Sequence, residues 1–177
     1  LPRFSIRANF TNPIVVSSQA YRKSFKGLVD GGLTLNLRLL GNFAIGIGYK
    51  AAMFEAEDFF KKDNFLKTQE QIHDGVFRMG FDYPTGPKSF ITLSLNSGFG
   101  LHKYTSVKAA RDTLDGKYPT EYTAGFVRPE FSANFLVEDN FAFCIFLSYN
   151  MVLSTFDPRL PCFDTYIPYS QYRNKAY

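Results

Sequence analysis

The side chains able to do chemistry in this 177-residue chain are few and scattered. There are two histidines, His73 and His102. The nearest serine downstream of a histidine, in "HKYTS", is Ser106, four positions beyond His102 on a strand margin, and no hydrolytic triad is read there. His102 therefore reads as a hydrogen-bonded interior residue. Cys144 lies inside a patterned segment and Cys162 in "LPCFD". Neither belongs to a CxxC or stands beside a metal-ligand pattern, so both read as incidental thiols. Phosphate loops and glycine-rich nucleotide motifs are absent from the sequence, and "GFG" at Gly98–Gly100 reads as small side chains making room. The expectation is a non-enzymatic chain, with no catalytic residues, no cofactor and no metal.

What remains is a set of charged and amide side chains set one by one into apolar segments. The charged ones are Arg7, Asp30, Arg38, Lys50, Asp74, Arg78, Asp82, Arg128 and Glu130, with Asn9, Asn36, Asn96 and Asn134 among them. Both signs occur in comparable numbers, and the chemistry open to them is mutual pairing.

The elements that must carry these residues follow from a period of two. Leu33, Leu35, Leu37 and Leu39 alternate with Gly32, Thr34, Asn36 and Arg38; after Gly41-Asn42, Phe43, Ile45, Ile47 and Tyr49 alternate with small residues and Lys50. This predicts a hairpin with a very short turn. The same alternation recurs at Phe77–Tyr83, Ile91–Leu101, Val127–Phe135 and Phe143–Leu153, and near the start at Phe4–Phe10. About seven strands result, longer than the usual ~5–6 residues. Pro129 is awkward in a central strand and predicts a local irregularity.

Connections alternate in length. Gly41-Asn42, Thr85–Lys88 and Glu138–Asn140 read as tight turns, whereas 17–26, 55–68, 106–120 and 156–168 read as long polar loops. An up-and-down meander puts all short turns at one end and all long loops at the other.

Composition bounds the alternatives. Charged residues are 20% and mean hydropathy is −0.15, and no stretch of about 19 residues is apolar enough for a spanning helix. Twenty Phe and eleven Tyr with no Trp favour strands. The net charge of +4 is spread out, with no basic cluster for nucleic acid. Residues 1–177 read as one domain. Leu1-Pro2-Arg3 enters a patterned segment at once, so no signal peptide is read there.

Size decides which way the apolar face points. Leu, Ile, Phe, Met and Tyr would overfill the inside of a barrel of about eight strands, while Gly, Ala, Ser and Asn on the other face suit a narrow interior. Phe43, Phe81, Tyr83, Phe135 and Phe141 fall beside the tight turns, where an aromatic girdle would sit, and Tyr49 and Tyr149 would serve the other rim. The expected fold is all-β: an antiparallel up-and-down transmembrane β-barrel of about eight strands, with short periplasmic turns and long extracellular loops. A soluble ligand-binding barrel is the inverted alternative.

In strand pattern, turn and loop alternation and girdle, nearly the whole chain resembles the small outer-membrane β-barrels of Gram-negative bacteria, of the outer membrane protein A and X type. Its Phe, Tyr, Asn and Lys usage has a Bacteroidota flavour. The resemblance implies location in the bacterial outer membrane, contact with its lipid and lipopolysaccharide, and other outer-membrane proteins as partners. Lipid A deacylases on this architecture carry a His-x-Ser pair, which "HKYTS" lacks. In families of this kind the last strand alternates apolar residues and ends on an aromatic. "YSQYRNKAY" ends on Tyr177, but Gln171, Arg173 and Lys175 occupy the apolar places. The last strand is therefore irregular or lies in further sequence, which would also leave room for a peptidoglycan-binding periplasmic domain. The function expected is a structural or interaction subunit of a larger outer-membrane assembly for export, insertion or uptake, with a small gated pore as the alternative and a lipid-modifying enzyme behind it. Loops such as "YRKSFK" and "EDFFKKDNFLK" offer cations to lipopolysaccharide phosphates and aromatics to a protein partner.

Overall fold

A computed structural model describes residues 3–16, 19–39, 41–56, 68–105, 120–138, 141–154, 157 and 160–161. They form one antiparallel sheet in which sequence neighbours pair in order: β1 (Phe4–Thr11), β2 (Phe25–Arg38), β3 (Phe43–Ala56), β4 (Gln69–Gly86), β5 (Ser89–Thr105), β6 (Glu121–Glu138) and β7 (Phe141–Ser148). A two-residue β8 (Met151–Val152) also pairs with β6. The single helix among the described residues, α1 (Gln19–Ser24), is six residues long, and no described helix is long and apolar enough to cross a membrane.

The up-and-down order is the one the sequence predicts. The short connections lie at one end of the sheet: Gly41, at φ 58°, turns β2 into β3, and Pro87-Lys88 turn β4 into β5. The turn before β7 includes residues 139–140, which lie outside the described set, as do most of the long loops at 57–67, 106–119 and 162–177. The proposed last strand in "YSQYRNKAY" falls there too. One loop is corrected. Residues 17–26 are not an exposed polar loop throughout, because α1 and the first residues of β2 occupy most of it, with Tyr21 and Phe25 buried.

The alternation sets one face against the other. On β4 to β6 the even-numbered positions from Glu70 to Asp82, Thr92 to Asn96 and Ala124 to Asn134 are buried, and odd-numbered Phe77, Phe81, Leu93, Phe99, Phe131 and Phe135 are exposed. The sheet curls so that the inner face is shielded by the strands themselves. A bulge between Gly27 and Val29 inserts one residue into β2 and exchanges the faces. That is why odd-numbered Phe25 points inward above it while even-numbered Asp30 does so below.

Pro129 acts as expected, and on one side only. β6 pairs with β5 without a break, Leu95 facing Pro129. Toward β7, Tyr149 N–H donates to the Pro129 carbonyl at 3.1 Å, but proline has no N–H to return the bond. Glu130 faces Ser148 and Val127 faces Met151 in one unbroken register. β7 and β8 are thus one strand interrupted opposite Pro129.

Closure is the point where the fold falls short of the barrel expected. Among the described residues β1 bonds only to β2, and β7 only to β6.

Candidate functional site: a charged inner face under an aromatic cap

Each inward-facing charge is placed by the parity of its strand, and the pairs reach across the curl. Arg38 on β2 donates to Asp82 on β4, which also accepts from Thr92 at 2.7 Å. Asn134 supports that threonine from β6 at 3.1 Å. In the middle, Arg128 on β6 meets Asp74 on β4 at 2.6 Å, and its Nε donates to Asn150 at 3.3 Å. Glu130 Oε1 accepts both Arg78 of β4 at 2.9 Å and Arg7 of β1 at 2.7 Å. Lys50 and Asp30 pair at 3.0 Å between β3 and β2. Four of the five ion pairs skip at least one strand, and the reach of Arg7 on β1 to Glu130 on β6 requires the sheet to curl.

All nine charged residues read from the sequence therefore meet in four groups. The aromatic residues assigned to a girdle lie together at the turn end on the outer face: Phe43 stands beside Phe81 across β3 and β4, Tyr83 follows on β4, and Phe135 pairs with Phe143 next to Phe141. Tyr49 marks the opposite limit of the apolar belt, its hydroxyl hydrogen-bonded to His73 Nδ1. Beyond that level the outer face turns polar, with Gln71, Lys103 and Glu121 in one row.

Space for the charges is made by glycine. A Cβ on Gly100 would stand 2.4 Å from Asp74 Oδ1, and one on Gly46 would stand 2.6 Å from Asn36 Oδ1. The small residues of the inner face are thus the counterpart of its long ones.

Two features escape the sequence reading. Glu70 is fully buried, accepting from Tyr21 and bonded to His102 Nδ1 at 2.8 Å. With it the inner face carries five carboxylates to the five cations Arg7, Arg38, Lys50, Arg78 and Arg128, though its own partners are Tyr21 and His102. The even position of Glu70 on β4 was the available signal. The second is an apolar cap: Tyr21 of α1 packs with Phe25, Phe54, Ala56, Ile72 and Tyr104 at the loop end. The inner face is charged over most of its length and richest in aromatics there, with Phe126 and Phe146 elsewhere lying under the guanidiniums of Arg128 and Arg7. Even-numbered Phe54 and Ile72 carry that change in their own parity.

Chemically the arrangement holds charge in place. Buried ions are tolerated only when paired and hydrogen-bonded, and here each acid has a basic or hydroxyl partner. His102 is stacked on Tyr122 with ring centroids 4.5 Å apart, its Nδ1 committed to Glu70. Ser106 lies outside the described residues. Cys144 is a free, half-buried thiol, and no described cluster of His, Cys, Asp or Glu is arranged to hold a metal ion. Cys162 is outside the described set. Comparison with known families, curated proteins and solved structures returned no match to this chain.

Proposed function

We propose that this chain is a non-enzymatic β-barrel of a bacterial outer membrane, acting as a structural or interaction subunit of a larger assembly rather than as a pore. The observation that carries the reading is the inversion of its two faces: charges fill the inner one, and large apolar side chains cover the outer one. Leu33, Ile47, Phe77, Leu93 and Phe131 are all exposed. A soluble sheet protein buries such a row, while a lipid-facing one displays it.

Its height agrees. On β5 the outward positions run from Ile91 to Leu101, broken only by Ser97, before the face turns polar at Lys103. At about 3.3 Å per residue and a tilt near 45°, such a stretch spans roughly 25 Å, the height of a bilayer's apolar band. The ion pairs that cross the inner face and the aromatic cluster at its loop end favour a lumen that does not conduct. Outer-membrane lipid and lipopolysaccharide are the surroundings this face suits.

The test is made on membranes and on the purified protein. The chain should resist alkaline washing, leave the membrane only with detergent, and give no steady openings in a planar bilayer. Release by the wash would return the soluble barrel, and steady openings would return the pore.

A further inference from the structure

We propose that the middle of the inner face binds one small organic anion, a carboxylate with a short apolar or aromatic body, beside the guanidiniums of Arg7 and Arg128. The site goes beyond the reading above and stands whichever solvent meets the outer face.

Charge is out of balance at this level. Between the Arg38–Asp82 pair at the turn end and Glu70 at the loop end lie four cations, Arg7, Lys50, Arg78 and Arg128, and three carboxylates, Asp30, Asp74 and Glu130. The shortfall falls at Glu130, one of whose oxygens serves both Arg7 and Arg78. Glu70 stands four residues from Asp74 along β4, about 13 Å of strand, and is engaged by Tyr21 and His102.

Unmet hydrogen bonds point to the same place. Arg7 Nε and Nη2 and Arg128 Nη1 are buried and have no hydrogen-bond partner among the described residues. Arg7 lies over the Phe146 ring at 5.2 Å, and Arg128 over Phe126 at 4.9 Å. A ring serves the face of a guanidinium, whereas the N–H groups point outward in its plane and still require acceptors. One added carboxylate supplies those acceptors and offsets the local positive charge. An ammonium would be a poorer fit. It would add to the existing charge, and every inward carboxylate already accepts from a donor; the bare oxygen Asp30 Oδ1 belongs to a carboxylate that Lys50 holds.

Room for a body comes from the void on the inner face, about 1060 Å³ in volume. Arg128, Glu130 and Phe146 line its middle, and Ile72, Tyr122 and Phe54 line it toward the loop end. Phe146 is the ring on which Arg7 rests. A carboxylate held at the arginines would lay its body along the apolar walls above, and an apolar pocket with a few placed polar groups is the usual form of a small-molecule site.

The full chain, folded in a nonionic detergent, is titrated calorimetrically with phenylpropionate, phenylpropylamine and acetate in turn, against detergent alone. Phenylpropionate is expected to bind saturably, at least about tenfold more tightly than the amine or acetate. Arg7→Gln keeps the Glu130–Arg78 pair and is expected to weaken that binding by about tenfold with strand content unchanged by circular dichroism, while Arg7→Lys retains most of it. No saturable binding, or equal binding of the amine, overturns the proposal on the unaltered chain, independently of any variant. Acetate binding as tightly as phenylpropionate overturns it too, because the site is then one for a small ion only. So does a folded Arg7→Gln chain that binds like the unaltered one. Binding that appears only in Asp164→Asn also overturns it, since the chain then supplies the carboxylate itself.

Discussion

Glu130 is the residue on which the inner face turns, because one of its oxygens holds Arg7 and Arg78 together. Glu130→Ala leaves two buried guanidiniums without a counter-ion, a change that costs about 3–5 kcal/mol. Denaturant unfolding in micelles should show that loss as a lower midpoint. Adding Arg78→Met should recover part of it, since removing both members of a buried pair is far milder than removing one. Gly100→Ala probes the space around Asp74. A methyl 2.4 Å from Asp74 Oδ1 must displace that carboxylate from Arg128, at an expected cost of about 1–3 kcal/mol. Unchanged stability would show that Asp74 can move freely. At this scale the sequence was informative about which residues face inward, since parity alone selects them. It left Arg38 without a named acid, because the choice of Asp82 depends on the curl that brings β2 over β4.

The strand is the scale at which the polar and apolar faces of this molecule are separated. Leu95 lies on β5 within the apolar belt, and Leu95→Arg should cost about 2–4 kcal/mol on folding into vesicles. Lys103→Leu, beyond the belt, should change the same measurement little. If both substitutions behave alike, the outer face does not meet lipid. Pro129 offers a second test. Pro129→Ala restores the N–H that β7 lacks opposite Tyr149, so amide exchange at Asn150 to Val152 should slow as β7 and β8 become one ladder. Global stability should rise by no more than about 1 kcal/mol, because proline also restrains the unfolded chain. The interruption was legible in the sequence as a proline within an alternating run. Which neighbour would lose the bond was not, since it depends on the side of β6 to which the residue's carbonyl points. The bulge at Gly27 was equally hidden: one inserted residue exchanges faces without disturbing composition.

For the whole molecule, the reading turns on whether the lumen conducts. Tyr21, Phe25 and Phe54 pack together at the loop end, and ion pairs line the inner face beneath them. Removing the cap with Tyr21→Ala and Phe25→Ala should allow brief openings in a planar bilayer that the unaltered protein does not show, and openings already present in the unaltered protein would defeat the non-conducting reading. The cap was missed because "YRKSFK" carries three cations in six residues and reads as solvated. Only α1 separates its two faces, turning Tyr21 inward while Arg22 and Lys23 stay exposed.

The sequence by itself determined the strands, their up-and-down order and the two faces. Those depend on a side-chain period of two and on turn length, both local properties of the chain. Tertiary structure decided the acid for each arginine, the recruitment of Glu70 and the aromatic cluster at the loop end. Each of these joins residues far apart in sequence, and their meeting depends on how tightly the sheet curls, a quantity that no single strand encodes.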